Sequence, residues 1–185
     1  LDKMISMFDK NLLRMLVKYQ SRIHNCPYPK EIALDFSDYS YIDFLLARLL
    51  LISNDYVSKD LLIKIIEIFN KEKSKLNLRI THPDFTLRNI IFRNGTFVII
   101  DNESLNVDNG YEYDILNTQK TGLAILKPKV KENYLTLYSK YGNLETLKNR
   151  EIFWSLVWQI RMAGKYFQEG NNEMGLDSME KLKIH

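Results

Sequence analysis

A hairpin signal in the middle of the chain is the feature that most constrains its fold. The dipeptide Asn94-Gly95 separates two short runs, 90–92 and 96–100, that are rich in branched and aromatic residues. Asparagine and glycine both tolerate the positive φ that a tight turn between antiparallel strands requires. The pattern therefore predicts a β-hairpin whose second strand ends on Asp101.

Helical patterns occupy the chain on both sides of this hairpin. Apolar residues recur at spacings of three and four, and Ser58 is a plausible N-cap for the helix that follows it. A polar loop is expected over 102–110. The predicted helices cover residues 3–24, 41–53, 59–69, 112–125, 130–141 and 149–169. With 185 residues, 7 Gly and 4 Pro, the chain is expected to form one α+β unit, mostly helical, with a small central β-hairpin.

Charge and cysteine content restrict the setting of the protein. The net charge is +3 and basic residues alternate with acidic ones, as in 71–75, so no nucleic-acid surface is expected. Cys26 is the single cysteine and cannot form an internal disulfide, which favours a reducing, cytoplasmic location. The N-terminus lacks signal-peptide architecture, and the longest apolar stretch, 44–52, is too short to span a membrane.

The residues around the hairpin carry the chemistry. Asp84 lies in a turn-like segment, Asn89 follows five positions later at the start of the first strand, and Asp101 follows the second strand. Because a hairpin returns the chain to its starting level, these three oxygen-bearing side chains are expected to converge. Oxygen ligands of this kind bind hard cations such as Mg²⁺ together with substrate phosphates.

Spacing relates these residues to a known motif. His82, Asp84 and Asn89 match H-x-D-x-x-x-x-N, which protein kinases follow with a metal-binding Asp. Ile100-Asp101-Asn102-Glu103 and then Tyr113-Asp114 resemble the small-molecule branch of that superfamily, the aminoglycoside phosphotransferase and choline kinase-like family. The resemblance is sharp over residues 78–116, and it implies the C-terminal catalytic lobe of a kinase-like fold.

The resemblance also implies roles. Asp84 would be the catalytic base, and Asn89 and Asp101 would be the ligands of Mg²⁺. His82 would brace the catalytic loop, and Asp114 would hydrogen-bond the backbone of that loop. Glu103 would lie near the metal or the acceptor. The implied reaction is Mg²⁺-dependent transfer of the γ-phosphoryl of ATP, or another NTP, to a hydroxyl of an aminoglycoside, an amino alcohol or a sugar.

The sequence departs from the family in one respect. The first glycine is Gly95, so no glycine-rich phosphate loop precedes the motif, and no lysine lies in a run that resembles V-A-I-K. Residues 1–185 are therefore expected to be a single catalytic lobe without its N-terminal nucleotide lobe. Either that lobe precedes Leu1 in the parent protein, or the chain is a truncated phosphotransferase that no longer turns over.

Two other hypotheses remain open at this level. The chain could be a catalytically inactive kinase-like binding or regulatory module, or an unrelated helical interaction domain in which Asp84 and Asp101 are incidental. Aromatic residues also cluster in the last helices, where they either surround an acceptor or form the core. These residues are Tyr134, Tyr138, Tyr141, Phe153, Trp154, Trp158, Tyr166 and Phe167.

Overall fold

The computed structural model describes residues 10–27, 40–53, 57–76, 79–102, 105–108, 110–123 and 128–182, and these are mostly helical. The helices are α1 (Lys10–His24), α2 (Tyr41–Ser53), α3 (Lys59–Lys73), α4 (Tyr111–Asn117), α5 (Pro128–Tyr138), α6 (Glu145–Asn149), α7 (Glu151–Gln168) and α8 (Asn172–Glu180). The strands are β1 (Arg79–Thr81), β2 (Ile90–Arg93), β3 (Thr96–Ile99) and β4 (Asn106–Asp108). The mostly helical α+β class predicted from the sequence is confirmed.

The predicted hairpin is formed by β2 and β3. Ile91 pairs with Val98 in an antiparallel register. Asn94 and Gly95 form the turn with φ of 51° and 75°, in the left-handed region that favours these two residue types. The predicted cap of α3 is also present, because the Ser58 side chain accepts a hydrogen bond from the Leu61 amide.

Other local predictions need correction. The segment 102–110 is not simply a polar loop, because β4 lies within it and pairs antiparallel with β1, aligning Ile80 with Val107. The helix predicted over 112–125 ends as an α-helix at Asn117 and continues as a π-helical turn, Thr118–Gly122. The short helices α6 and α8 were not predicted. The first seven residues of the predicted helix 3–24 lie outside the described ranges.

Two hydrophobic cores organise the chain, and α4 lies between them. The first core joins α2, α3, α7 and α8, and it includes Tyr113 and Leu116 of α4. The second joins α1, α5 and the β2–β3 hairpin, and it includes Ile115 of α4. Residues 112–117 are consequently all buried. Because α4 is fixed from two sides, it can hold a neighbouring loop in one position.

In the part of the chain that the structure describes, no helix has both the length and the apolar character needed to cross a bilayer.

Candidate active site

Asp84 and Asn89 are joined by the conformation of the loop between β1 and β2. A 3₁₀ turn, Leu87–Asn89, brings the Asn89 side chain back over Asp84. The side-chain amide nitrogen of Asn89 donates to the Asp84 carboxylate oxygen Oδ2 at 2.6 Å and to the Asp84 backbone carbonyl at 3.1 Å. Since only the nitrogen can donate to both, the Asn89 Oδ1 oxygen remains as an acceptor for a cation. Asp84 itself is exposed to solvent.

Asp101 enters the same region from the end of the hairpin. The Ile100 amide donates to the Asn89 carbonyl at 2.9 Å, so Ile100 lies opposite Asn89 and Asp101 is the next residue along the chain. Asp101 has a φ of 61°, in the left-handed region that non-glycine residues adopt at a cost. Such backbone outliers concentrate at functional sites, and the Asp101 side chain is exposed.

Three side chains on one face of α4 and the π-helical turn hold the backbone of the loop. Asp114 accepts from the His82 amide through Oδ2 at 2.5 Å, and Asn117 donates to the Pro83 carbonyl at 2.8 Å. Thr118 donates to the Phe85 carbonyl at 3.2 Å. The spacing of three and four residues places these groups side by side on the helix surface. One amide and two carbonyls of the loop, on either side of Asp84, are thereby tied to this buried segment.

Gly122 allows the π-helical turn to approach the loop closely. A Cβ at this position would lie 3.0 Å from the Phe85 carbonyl oxygen, tighter than an ordinary contact. A side chain at this position would press on the same carbonyl that accepts the hydrogen bond from Thr118.

A second, buried network supports Asp114 from α1. His24 Nε2 lies 3.0 Å from Asp114 Oδ2, and His24 Nδ1 lies 2.6 Å from the Tyr138 hydroxyl. Burial raises the pKa of Tyr138 far above its usual value, so this hydroxyl stays protonated and can donate to Nδ1. That hydrogen bond assigns the remaining ring hydrogen to Nε2, which donates to Asp114.

Gln20 of α1 extends this network to the π-helical turn. Its side-chain nitrogen donates to the Thr118 hydroxyl at 2.9 Å, and its oxygen accepts from Tyr134. Burial also raises the pKa of Tyr134 well above its usual range, which keeps that hydroxyl a donor. The loop around Asp84 is therefore supported by two layers of hydrogen bonds.

The remaining predicted site residues differ in placement. His82 is 1% exposed, its ring packs edge-on to Phe85, and neither ring nitrogen has a hydrogen-bond partner among the described residues. Its environment suits a packing role beneath the loop, whereas its contribution to catalysis stays a prediction. Glu103 lies outside the described residues.

Sequence reasoning missed several supporting residues. Asn117 and Thr118 lie three and four positions after Asp114, and that helical spacing could have identified them as a shared face. His24 and Gln20 carried no comparable signal, because about ninety positions or more separate them from Asp114 and Thr118 along the chain.

Most of the clustered aromatic residues are core: Tyr134, Tyr138, Phe153, Trp154, Trp158 and Phe167 are buried.

Glu112 provides a pH-dependent prediction. It is 3% exposed, its Oε2 has no hydrogen-bond partner in the described ranges, and burial raises its pKa above 4.5, with the Thr146 hydroxyl opposing this. Below pH 4.5 the Glu112 carboxyl is protonated in both the folded and the unfolded chain. Above pH 4.5 the carboxyl ionises more readily in the unfolded chain, which lowers the free energy of unfolding. We expect Glu112→Gln to raise the unfolding temperature at about pH 7.5 and to have little effect near pH 4.

The control for this prediction is Glu67→Gln, which removes an exposed carboxylate from α3. Thermal unfolding of the three proteins at both pH values checks it. An equal change for Glu112→Gln at both pH values would show that the buried charge is not the cause.

The arrangement as a whole defines the class of fold. A helical lobe that presents a loop with Asp84 and Asn89, followed by a hairpin ending before Asp101, is the C-terminal lobe of the protein-kinase-like fold. The predicted likeness to the aminoglycoside phosphotransferase and choline kinase-like family is confirmed at the level of fold by comparison with solved structures.

Two of these structures are of the aminoglycoside phosphotransferase APH(2″)-IIa. Its complex with gentamicin matches with a TM-score of 0.62 at 18% identity, over 99% of this chain and 66% of the other. Its ternary complex with streptomycin and ATP matches with a TM-score of 0.59 at 17% identity, over 97% and 67%. An ethanolamine kinase from Plasmodium vivax matches with a TM-score of 0.56 at 14% identity, over 93% and 58%.

The chain therefore spans about two thirds or less of the length of these structures. No protein-family model and no curated protein matches the sequence.

Proposed function

We propose that the chain is the catalytic lobe of a phosphotransferase that moves the γ-phosphoryl of ATP, or another NTP, to a hydroxyl of a small molecule. The observation that carries this proposal is the joining of Asp84, Asn89 and the Asp101 segment at one edge of the hairpin. A protein with a similar fold binds streptomycin and ATP in one solved structure, and another protein with a similar fold is an ethanolamine kinase.

Asp84 is the proposed catalytic base. Its Oδ2 is held by Asn89, while Oδ1 accepts no hydrogen bond from any described residue and faces solvent on an exposed side chain. A carboxylate fixed through one oxygen can orient an acceptor hydroxyl with the other and accept its proton during transfer. The hydrogen bonds from α4 to the loop keep this carboxylate in position, which is where much of the rate gain in phosphoryl transfer originates.

The side-chain donors at this site are an amide oxygen and a carboxylate, which are ligand types that suit Mg²⁺. Within the described ranges no three His, Cys, Asp or Glu side chains group closely enough to hold a metal by themselves, so the ion would need further ligands. Asn89 and Asp101 would hold the ion, and phosphate oxygens and water would complete its shell, as is usual for Mg²⁺. When bound, Mg²⁺ would neutralise charge on the phosphates.

An apolar surface beside this site suits a nucleotide base. Ile91 and Val98 are cross-strand partners, and their side chains are 47% and 48% exposed. They belong to the hairpin that positions Asn89 and Asp101. We place the base of the nucleotide against this pair, and we propose that a second lobe covers the other side of the base.

The decisive experiment is a thermal-shift titration with MgATP. MgATP at a hundred times its dissociation constant should stabilise the protein by about 2.7 kcal/mol, or roughly 5–10 °C for a domain of this size. We expect Asp101→Asn to lose most of the MgATP shift, because asparagine removes the charge that would bind the metal. With ATP in EDTA, where no metal is available, the variant and the wild-type protein should show the same shift. Asparagine also tolerates positive φ, so the backbone is preserved.

Asp60→Asn is the matched control, because Asp60 is exposed in the first turn of α3, away from the hairpin. A full MgATP shift in Asp101→Asn would remove Asp101 as a metal ligand. No shift in the full-length wild-type protein would contradict the proposed function itself.

A further inference from the structure

Three buried side chains form a continuous line of hydrogen bonds that ends on the proposed catalytic loop, and we call Tyr138, His24 and Asp114 the His24 link. They are 0%, 2% and 1% exposed, respectively. The Tyr138 hydroxyl donates to His24 Nδ1 at 2.6 Å, and His24 Nε2 donates to Asp114 Oδ2 at 3.0 Å. The same oxygen accepts from the His82 amide at 2.5 Å, two residues before Asp84. The His24 link therefore connects α5, through α1 and α4, to the loop.

Asp114 depends on His24 for its orientation. Of its two carboxylate oxygens, Oδ1 has no hydrogen-bond partner among the described residues, so the carboxylate is held through Oδ2. The terminal torsion of an aspartate is broad, and without His24 the remaining donor to Oδ2 is the His82 amide, which belongs to the loop itself. His24 is the donor that fixes this oxygen from outside the loop. The position of the His82 peptide is therefore set by α1 as well as by α4.

The rest of the loop is held independently of this link. The hydrogen bonds that Asn117 and Thr118 donate to the loop carbonyls do not involve His24. A loop that loses His24 should therefore stay folded, while its peptide at His82 is free to move. Misplacing a reacting group by about 1 Å can lower a rate about 10²-fold. The expected consequence is a slower chemical step, with the hairpin residues of the site unaffected.

We infer that His24 is a positioning residue for the proposed transfer. Through Asp114 it holds the His82 peptide, and with it Asp84, where the Asp84 carboxylate meets the acceptor hydroxyl. This inference rests on the proposed function, because positioning has meaning only for a loop that carries the catalytic base. It adds to the site a residue outside the sequence motif, whose contact with the loop runs through Asp114.

His24 also lines a cavity, which makes a chemical rescue possible. The cavity has a volume of about 130 Å³, and its wall includes Tyr138, Arg79 and Asn143. Replacing His24 by alanine would add the space of the imidazole ring to this cavity. Added imidazole carries the same two ring nitrogens, one donor and one acceptor, and can refill that space. It would then bridge the Tyr138 hydroxyl and Asp114 Oδ2 as His24 does.

A matched pair of amide variants separates the two ring nitrogens. Glutamine is long enough to place its side-chain nitrogen near the Nε2 position, facing Asp114, whereas asparagine reaches only the Nδ1 position, facing Tyr138. The turnover rate of the full-length protein is expected to fall about tenfold or more in His24→Asn and clearly less in His24→Gln. The KM values for MgATP and for the acceptor should stay within about twofold of wild type in both variants, because only the chemical step is affected.

The acceptor for these measurements is chosen from the proposed classes. Kanamycin, choline and glucose are offered to the wild-type protein with MgATP, and the one that is phosphorylated fastest is used for every variant. A wild-type protein that phosphorylates none of them rejects the inference together with the proposed function. An active wild-type protein whose rate does not depend on His24 rejects the inference alone.

Imidazole tests the same contact by a second route. Millimolar imidazole is expected to raise the turnover rate of His24→Ala severalfold and to leave the wild-type rate unchanged. Val17→Ala is the control for stability, because Val17 is fully buried in α1 but belongs to the second core rather than to the His24 link. It should lower the unfolding temperature, keep the wild-type rate per folded molecule, and show no response to imidazole.

Equal turnover rates in His24→Gln and His24→Asn would overturn the inference, because the donor to Asp114 would then not be what matters. A raised KM with an unchanged turnover rate would also overturn it, since His24 would act on binding. A loss of stability without a loss of rate, as expected for Val17→Ala, would leave His24 a purely structural residue. If His24→Ala does not fold, the two amide variants decide, since both keep a polar side chain at this position.

Discussion

Replacing Asp84 by asparagine is expected to lower the rate of phosphoryl transfer by about 10²–10⁴-fold, the range typical for removing a general base. Asparagine keeps the shape of the side chain and still offers an oxygen to the Asn89 amide, which donates to Asp84 Oδ2 at 2.6 Å. The loop should therefore keep its conformation while it loses the group that accepts the proton. The measurement is the transfer rate of the full-length protein with ATP and a small-molecule hydroxyl acceptor.

Two measurements on the same variant separate chemistry from binding. The thermal shift with MgATP should be retained in Asp84→Asn, because Asn89 and Asp101 are unchanged. Asp60→Asn serves again as the control, with transfer at the wild-type rate. Activity of Asp84→Asn within a factor of a few of wild type would eliminate Asp84 as the base. A wild-type protein that binds MgATP but phosphorylates no acceptor would instead favour an inactive binding module.

Replacing Asp114 by alanine is expected to cost about 2–6 kcal/mol of unfolding free energy, because two buried donors lose their acceptor at about 1–3 kcal/mol each. Asp114 is 1% exposed, and its Oδ2 accepts from both the His82 amide and His24 Nε2. Alanine leaves both donors in the interior without an acceptor, and each unsatisfied group carries its own desolvation penalty. Denaturant unfolding gives the free energy directly.

A surface aspartate provides the comparison for Asp114. Asp177 pairs with Lys181 on α8 and is 44% exposed, so Asp177→Ala should cost no more than about 1 kcal/mol. If Asp114→Ala cost as little, the buried network would not be what fixes the loop. Any folded Asp114→Ala protein should also transfer phosphoryl groups more slowly, since the peptide of His82 is freed from α4.

Local signals carried much of the fold prediction. The Asn94-Gly95 turn and the Ser58 cap depend on residues within a few positions of each other, and both are present in the structure. The pairing of β1 with β4 was missed because Ile80 and Val107 are far apart in sequence and each strand has only three residues. So short a strand has too few side chains to show a period of two.

The candidate site divides in the same way. His82, Asp84, Asn89 and Asp101 were identified by order and spacing, because the motif is confined to one loop and one hairpin. The roles given to these residues remain predictions that the variants above test. The structure adds the hydrogen bonds from Asn117 and Thr118 and the left-handed φ of Asp101, none of which residue types alone could specify.

The sequence by itself thus determined the helix-rich class, the hairpin and the spacing of the proposed catalytic residues, all of which depend on neighbours along the chain. Only the tertiary structure decided which buried groups support the loop. His24 and Asp114 are ninety positions apart, and their contact exists only because α1 packs into the core that α4 joins. Contacts of that kind follow from the packing of whole elements, which periodicity does not encode.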